Sequence, residues 1–301
     1  MWGGLHVRKI SYRKQKGALA PFFRAERMSS PPFYSVELSY VIPCYIEEHN
    51  QNSIDQLLRE YASYSPELLD RLQFVLVDDH SPCPVKVADD IDLNIRILRI
   101  NEDIQWNQAG ARNLGVLYAT SDKVIMTDLD HLFPEQTLQF MVDHAPLGKT
   151  MYKPFRYAAD GGELKPHPNT FILSRGQFFQ HFGYDEEFAG EYGYEDGFFW
   201  RWQRYHGTRF RYTNKRNPIH VRAGEESGAT SGLQRDKTQN RQLRTRKLNE
   251  IAEYGPAGGH SRQFLKFTWE MLLDRKRQSI TWRAPKRTAW KRFWWWRKLF
   301  C

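Results

Sequence analysis

Cysteine is scarce in this chain: Cys44, Cys83 and Cys301 are the only three in 301 residues. An odd number at wide spacing makes neither a disulfide framework nor a zinc pattern, so a reducing, cytoplasmic setting is expected. No run of 18 apolar residues occurs, which excludes a hydrophobic spanning helix. The basic first 30 residues show no apolar stretch before a small-residue cleavage site, so no secretory signal is expected. There is no internal repeat. Acidic residues are missing altogether from 275–301, which hold ten Lys/Arg.

That last absence explains the net charge of +9. Residues 1–27 carry seven Lys/Arg and one Glu, while 28–274 carry 27 basic and 34 acidic residues. The body is therefore acidic and both ends are basic, a distribution that suits contact with an anionic surface. Residues 1–35 have few periodic apolar positions and end near Ser29-Ser30-Pro31-Pro32, so they are expected to be disordered. Met28 is an alternative start.

What the chain does have is an alternation of apolar runs and helical patterns over 36–145. Val124-Ile125-Met126 is an unbroken apolar run, the mark of a strand buried on both faces. It leads into Asp128-Leu129-Asp130-His131, and Pro134 then opens a helix. The stretch Val36–Cys44 is a first buried strand, stopped at Pro43. Residues 53–63 form a helix with Ile54, Leu57, Leu58 and Tyr61 on one face. Phe74–Val77 is a second buried strand ending in Asp78-Asp79-His80-Ser81, and Ile95–Ile100 is a third. Residues 107–119 are a helix. This order predicts an α/β fold with a mainly parallel, doubly wound sheet and helices on both faces. Paired acids at the carboxyl ends of such strands lie where open α/β sheets bind ligands, and oxygen ligands suit Mg²⁺ or Mn²⁺.

Beyond 145 the pattern loosens. Residues 168–174 read as a strand and 175–182 as a short helix. A glycine-punctuated loop, Phe188–Asp196, runs into the aromatic helix Phe198-Phe199-Trp200-Arg201-Trp202, where Phe199 and Trp202 are expected in the core. Ile219-His220-Val221 reads as a strand, 233–253 as a charged helix and 263–273 as an amphipathic helix. Residues 282–300 interleave Trp282, Trp290, Trp294, Trp295 and Trp296 with seven basic residues. This predicts a helical, membrane-associating tail over 261–301 that lies at an anionic membrane face without crossing it.

Four pieces recur in one order: Val77-Asp78-Asp79-His80-Ser81; Asn107-Gln108-Ala109-Gly110-Ala111-Arg112-Asn113; Asp128-Leu129-Asp130; and Gly193-Tyr194-Glu195-Asp196. Over roughly 38–222 the chain resembles the inverting GT-A glycosyltransferases of family 2, and its Glu-Asp segment is similar to the carboxy-terminal catalytic segment of galactosyltransferase-like members. The resemblance implies a GT-A domain over 36–260, with 36–145 the nucleotide-sugar half and 146–260 the acceptor half. It implies a nucleotide-sugar donor, usually UDP-linked, with Pro43 and the acid pair Asp78 and Asp79 at the donor. A carboxylate there accepts from a uracil N–H. Arg112 would pair with Asp78 or reach a phosphate. Asp128 would lie near the ribose and Asp130 would hold Mn²⁺ or Mg²⁺, joined by His220. His131, adjacent to Asp130 and expected to point to the opposite face, ranks below His220. Asp196 would be the general base toward the acceptor hydroxyl, with Glu195 binding the acceptor. The acceptor is expected to be a glycan or glycolipid at the inner face of the cell membrane, and no nucleic acid is expected. Glu225-Glu226-Ser227-Gly228 is a candidate lid. Three other readings remain open: a retaining GT-A enzyme, a non-catalytic glycan-binding scaffold, and a haloacid-dehalogenase-type phosphatase, whose Asp-Leu-Asp motif normally starts the fold.

Overall fold

The computed structural model describes residues 36–50, 52–144, 148–222 and 235–279. The disordered start expected over 1–35, the candidate lid at 225–228 and the aromatic tail at 282–300 lie outside these residues.

The described chain opens with β1 (Leu38–Cys44), α1 (Ser53–Ala62) and the short α2 (Pro66–Leu69). It continues with β2 (Leu72–Asp78), β3 (Ile95–Ile100), α3 (Gln108–Tyr118) and β4 (Lys123–Met126). Then come β5 (His131–Leu132), α4 (Glu135–His144), β6 (Thr150–Lys153), β7 (Arg156–Tyr157), β8 (Glu163–Leu164) and β9 (Phe171–Ser174). The chain closes with α5 (Arg175–Gln180), α6 (Glu195–Tyr205), β10 (Arg209–Tyr212), β11 (Ile219–Val221), α7 (Thr238–Tyr254) and β12 (Trp269–Arg275).

Among the described residues, eight strands form one sheet in the order β10-β6-β9-β4-β1-β2-β3-β12. Its centre is parallel: β1 pairs with β2 and with β4, and β2 with β3. Alternation splits each central strand between two cores. Tyr40, Ile42, Phe74 and Leu76 pack under α1, while Val41, Val75 and Val77 pack under α3. Gly115 lets α3 lie close to the sheet, since a Cβ there would sit 2.3 Å from Val41. The strand β1 runs through Pro43, which pairs opposite Val77, and ends one residue later than the proline suggested. A smaller sheet, β5-β11-β7-β8, holds the strand that follows the Asp128–Asp130 turn.

The carboxy-terminal part corrects the sequence reading. Residues 269–273, the second half of the amphipathic helix expected over 263–273, lie instead in β12, antiparallel to β3. Phe267, Trp269, Met271 and Leu273 also alternate with period two, and the open edge of β3 supplies the backbone partners that a helix would have had to find internally. A bulge between Met271 and Leu273 turns the two ends of the strand to different faces: Trp269 packs with the α3 core and Leu273 with the α1 core. The strap is fastened at its far end by Arg277, which pairs with the buried Asp70. No helix among the described residues is long and apolar enough to cross a membrane.

Candidate active site

Because β1, β2 and β4 are parallel, their carboxyl ends open on the same side, and the acids that follow them gather there. The two members of the Asp78-Asp79 pair do different work. Asp78 is fully buried and accepts from the Ser81 and Val85 amides and from Arg99 at 2.5 Å. It shapes the loop and is not available to a ligand. Asp79 instead lines a cleft with Tyr45, Asp103, Ile104, Gln105, Trp106 and Gln108. Burial pushes its carboxyl up to about 7, against a hydrogen bond from Asn107. An acid flanked by two aromatic rings has what a flat heterocycle needs: apolar faces and one oriented acceptor. Trp106 is held at φ 52°, a left-handed conformation rare for a bulky side chain.

Arg112 does not meet Asp78. Its fully buried guanidinium donates to Asp128 at 2.5 Å and to Asp196 at 2.6 Å. Asp78 is already claimed by Arg99 of the neighbouring strand β3. The neighbouring Asn113 is buried too. It bonds the backbone of Tyr184 in both directions and the carboxylate of Glu186. One turn of α3 thus ties the donor end of the sheet to the segment leading into α6.

Asp128 also accepts from Asn169 at 2.8 Å. Burial acts to raise its carboxyl, but the Arg112 guanidinium opposes that and the carboxyl is held below the ordinary aspartate value. Arg222 fixes the turn from behind, donating to the Leu129 carbonyl and to Ser53, while its amide donates to the Asp130 carbonyl.

A second pair of acids stands at the start of α6. Gly193 has φ 87° and Tyr194 has φ 73°, so two successive residues are left-handed. Tyr194 is a strained choice there, and such strain collects where the side chains that follow must be aimed. Asp196 is buried and accepts from Arg112 and from the Tyr184 hydroxyl at 2.9 Å. Burial raises its carboxyl, with Arg112 opposing. Glu195 is pushed up to about 8 by burial and by the charge of Asp196 beside it, and its Oε2 has no hydrogen-bond partner. Phe199 and Trp202, expected in the core, are buried there.

At the far end of the turn, Asp130, His131 and His167 present possible ligand atoms within 4.8 Å of one another. His131 does not point away from Asp130. Asp130 belongs to the turn and β5 begins only at His131, so strand alternation does not separate them. Their Oδ1 and Nδ1 lie 2.5 Å apart, both buried and without the alignment of a hydrogen bond. One carboxylate with an open face and imidazoles within reach of it are a donor set that fits a divalent cation. Burial keeps His167 uncharged, lowered to about 4, so its imidazole is free to ligate. His220 sits on β11 opposite Leu132, its ring 6.1 Å from Tyr157, outside this group. Sequence reading had not found His167, Asn169, Tyr184, Asn113 or Arg222. Of these only Asn113 lay in a motif, beside Arg112.

Residues 39–236 match the family model Glycosyl transferase family 2. The chain belongs to this family. It is a glycosyltransferase with the GT-A fold. Residues 1–349 of TarS from S. aureus, solved with UDP-GlcNAc, superpose with a TM-score of 0.51 at 14% identity, covering 72% of this chain and 67% of that one. The same TarS segment solved without that ligand gives 0.50 at 14%, covering 72% and 66%. A mannosyltransferase from Pyrobaculum calidifontis, solved with GDP-Man and Mn²⁺, gives 0.45 at 18%, covering 75% and 66%. The chain thus spans about two thirds of each of these solved chains, and about 40% of TarS itself. A comparison with curated proteins finds no match.

Proposed function

We propose that this family 2 glycosyltransferase moves a sugar from a uridine diphosphate sugar to a hydroxyl of a glycan or glycolipid, with inversion, and with Mn²⁺ or Mg²⁺ as cofactor. One observation carries the reading: a single buried guanidinium joins Asp128, beside the Asp130 corner, to Asp196, the acid suited to act as base. The donor acids and the candidate base therefore share one site.

In this reading Asp79, when ionised, accepts the imide N–H of the base, and Tyr45 and Trp106 cover its faces. Asp128 orients the ribose side of the donor. Asp130 and a histidine of its corner would hold the divalent ion, which neutralises the departing diphosphate. Asp196 takes the proton of the acceptor hydroxyl as that oxygen attacks the anomeric carbon from the face opposite the diphosphate. Arg112 and Tyr184 hold Asp196 in place through that step. Glu195, carrying its proton to higher pH, donates to an acceptor hydroxyl. The Trp- and Arg-rich residues 282–300 support attachment to an anionic membrane at its cytoplasmic face, where a glycolipid acceptor would be found.

The test is a donor screen on the full chain, reading nucleoside diphosphate release with Mn²⁺, with Mg²⁺ and with a chelator. Release from one uridine-linked donor, abolished by chelation and by Asp130→Ala, is expected. Chelator-resistant release, or release from no donor, sinks the proposal.

A further inference from the structure

We propose that His167 is the nitrogen ligand that joins Asp130 at the metal centre, with His131 holding the Asp130 carboxylate from behind. This deepens the metal-dependent reading above and rests on it.

His167 comes from the connection between β8 and β9, a stretch that carries no recognisable motif. Its ring centroid stands 4.3 Å from that of His131, and the ring is largely sheltered, with 13% of the side chain exposed. The carboxylate of Asp130, by contrast, remains 24% exposed, which leaves it an open face. Asn169, two residues after His167, donates to Asp128. The same loop therefore anchors itself to Asp128 and brings an imidazole to the turn, its Nδ1 4.0 Å from Asp128 and a ring nitrogen within 4.8 Å of an Asp130 oxygen.

His131 is distinguished from His167 by what surrounds it. It is fully buried, and its Nε2 lies 3.4 Å from the guanidinium of Arg156. A guanidinium only donates, so Nε2 is the acceptor and Nδ1 carries the hydrogen, 2.5 Å from Asp130 Oδ1 but out of line for a hydrogen bond in this state. That is the arrangement of a residue that orients a ligand rather than one that binds the ion. His220 pairs opposite Leu132 on β11, so it shares that residue's face of the small sheet and not the face of His131. Two donors from the protein, one oxygen and one nitrogen, leave room for diphosphate oxygens. A mixed set of this kind favours Mn²⁺ over Mg²⁺, because imidazole suits the softer ion.

The experiment titrates Mn²⁺ into the metal-free full chain, alone and with UDP, and reads both affinity and ¹⁴N coupling to bound Mn²⁺ by pulsed electron paramagnetic resonance. Wild type should show nitrogen coupling. His167→Ala should lose it and bind at least about tenfold more weakly. His220→Ala should keep both, and His131→Gln should keep the coupling while weakening affinity. His167→Asn, closer in shape, guards against a folding defect, and thermal melts compare all variants. Coupling that survives His167→Ala, coupling lost in His220→Ala, or Mn²⁺ bound with no coupling overturns the assignment, as does failure to bind Mn²⁺ at all. Should nitrogen coupling appear as described while no donor is turned over, the functional reading fails and the ligand assignment stands.

Discussion

Asp128 and Asp196, far apart in the chain, are held by one arginine: Arg112 donates to Asp128 at 2.5 Å and to Asp196 at 2.6 Å. A planar guanidinium serves two carboxylates at a fixed angle, which an ammonium does not. Arg112→Lys is therefore expected to fold and to lose about 100-fold in kcat, on the scale of one displaced catalytic group. Arg112→Ala leaves two carboxylates facing an empty pocket and should cost about 3–5 kcal/mol in stability. Steady-state kinetics and denaturant titration check the pair. A Lys variant with wild-type kcat would show that the bridge does not position the base.

Asp196→Asn should reduce kcat by about 10³-fold or more with the donor KM little changed, since a general base supplies about that factor. Tyr184→Phe removes one of its two hydrogen bonds and should cost about 1 kcal/mol in the same step. A KM effect without a kcat effect would assign both residues to binding.

Burial, and then the charge of Asp196 beside it, push the Glu195 carboxyl up to about 8. The native state then holds a proton that the unfolded chain has released, so its contribution to stability is lost as pH rises from the ordinary glutamate range through about 8. Glu195→Gln should flatten that fall, leaving the variant more heat-stable than wild type at pH 9 and less different at pH 5. Melting temperature against pH is the measurement, and parallel curves would refute the shift.

Asp79 offers the same arithmetic in the donor cleft, with a carboxyl raised from 3.8 to about 7. If it accepts from the base as an anion, donor KM should fall as pH rises through 7. Asp79→Asn should raise donor KM about tenfold, the order of one hydrogen bond to a charged group, and remove that pH dependence. A KM that is flat with pH in wild type would exclude Asp79 from the donor site.

The parallel core was legible because burial on both faces leaves its mark in local composition. Ile95–Ile100 was bounded to the residue, and the four strand ends that carry acids or precede them were all in view. The division of labour inside the motifs was not. Whether Asp78 or Asp79 faces outward depends on Arg99, which reaches Asp78 from the adjacent strand. Arg112 meets Asp196 across 84 residues, a distance at which spacing carries no information. His167 lay in a loop with neither period nor motif. At 269–275 two periodicities were both present, and only the free edge of β3 decided between them.

That edge has a consequence for how the protein is made. The Glu102 carboxylate accepts from Thr268, next to the donor cleft, and Arg277 is seated on Asp70 in the first part of the fold. During synthesis β3 leaves the ribosome some 170 residues before its neighbour β12 does. Throughout that interval its outer edge is a bare ladder of amide and carbonyl groups, open to any other strand. The central sheet is thus finished by one of the later segments to be translated, and a nascent chain stalled between the two strands is the species a chaperone would need to shield.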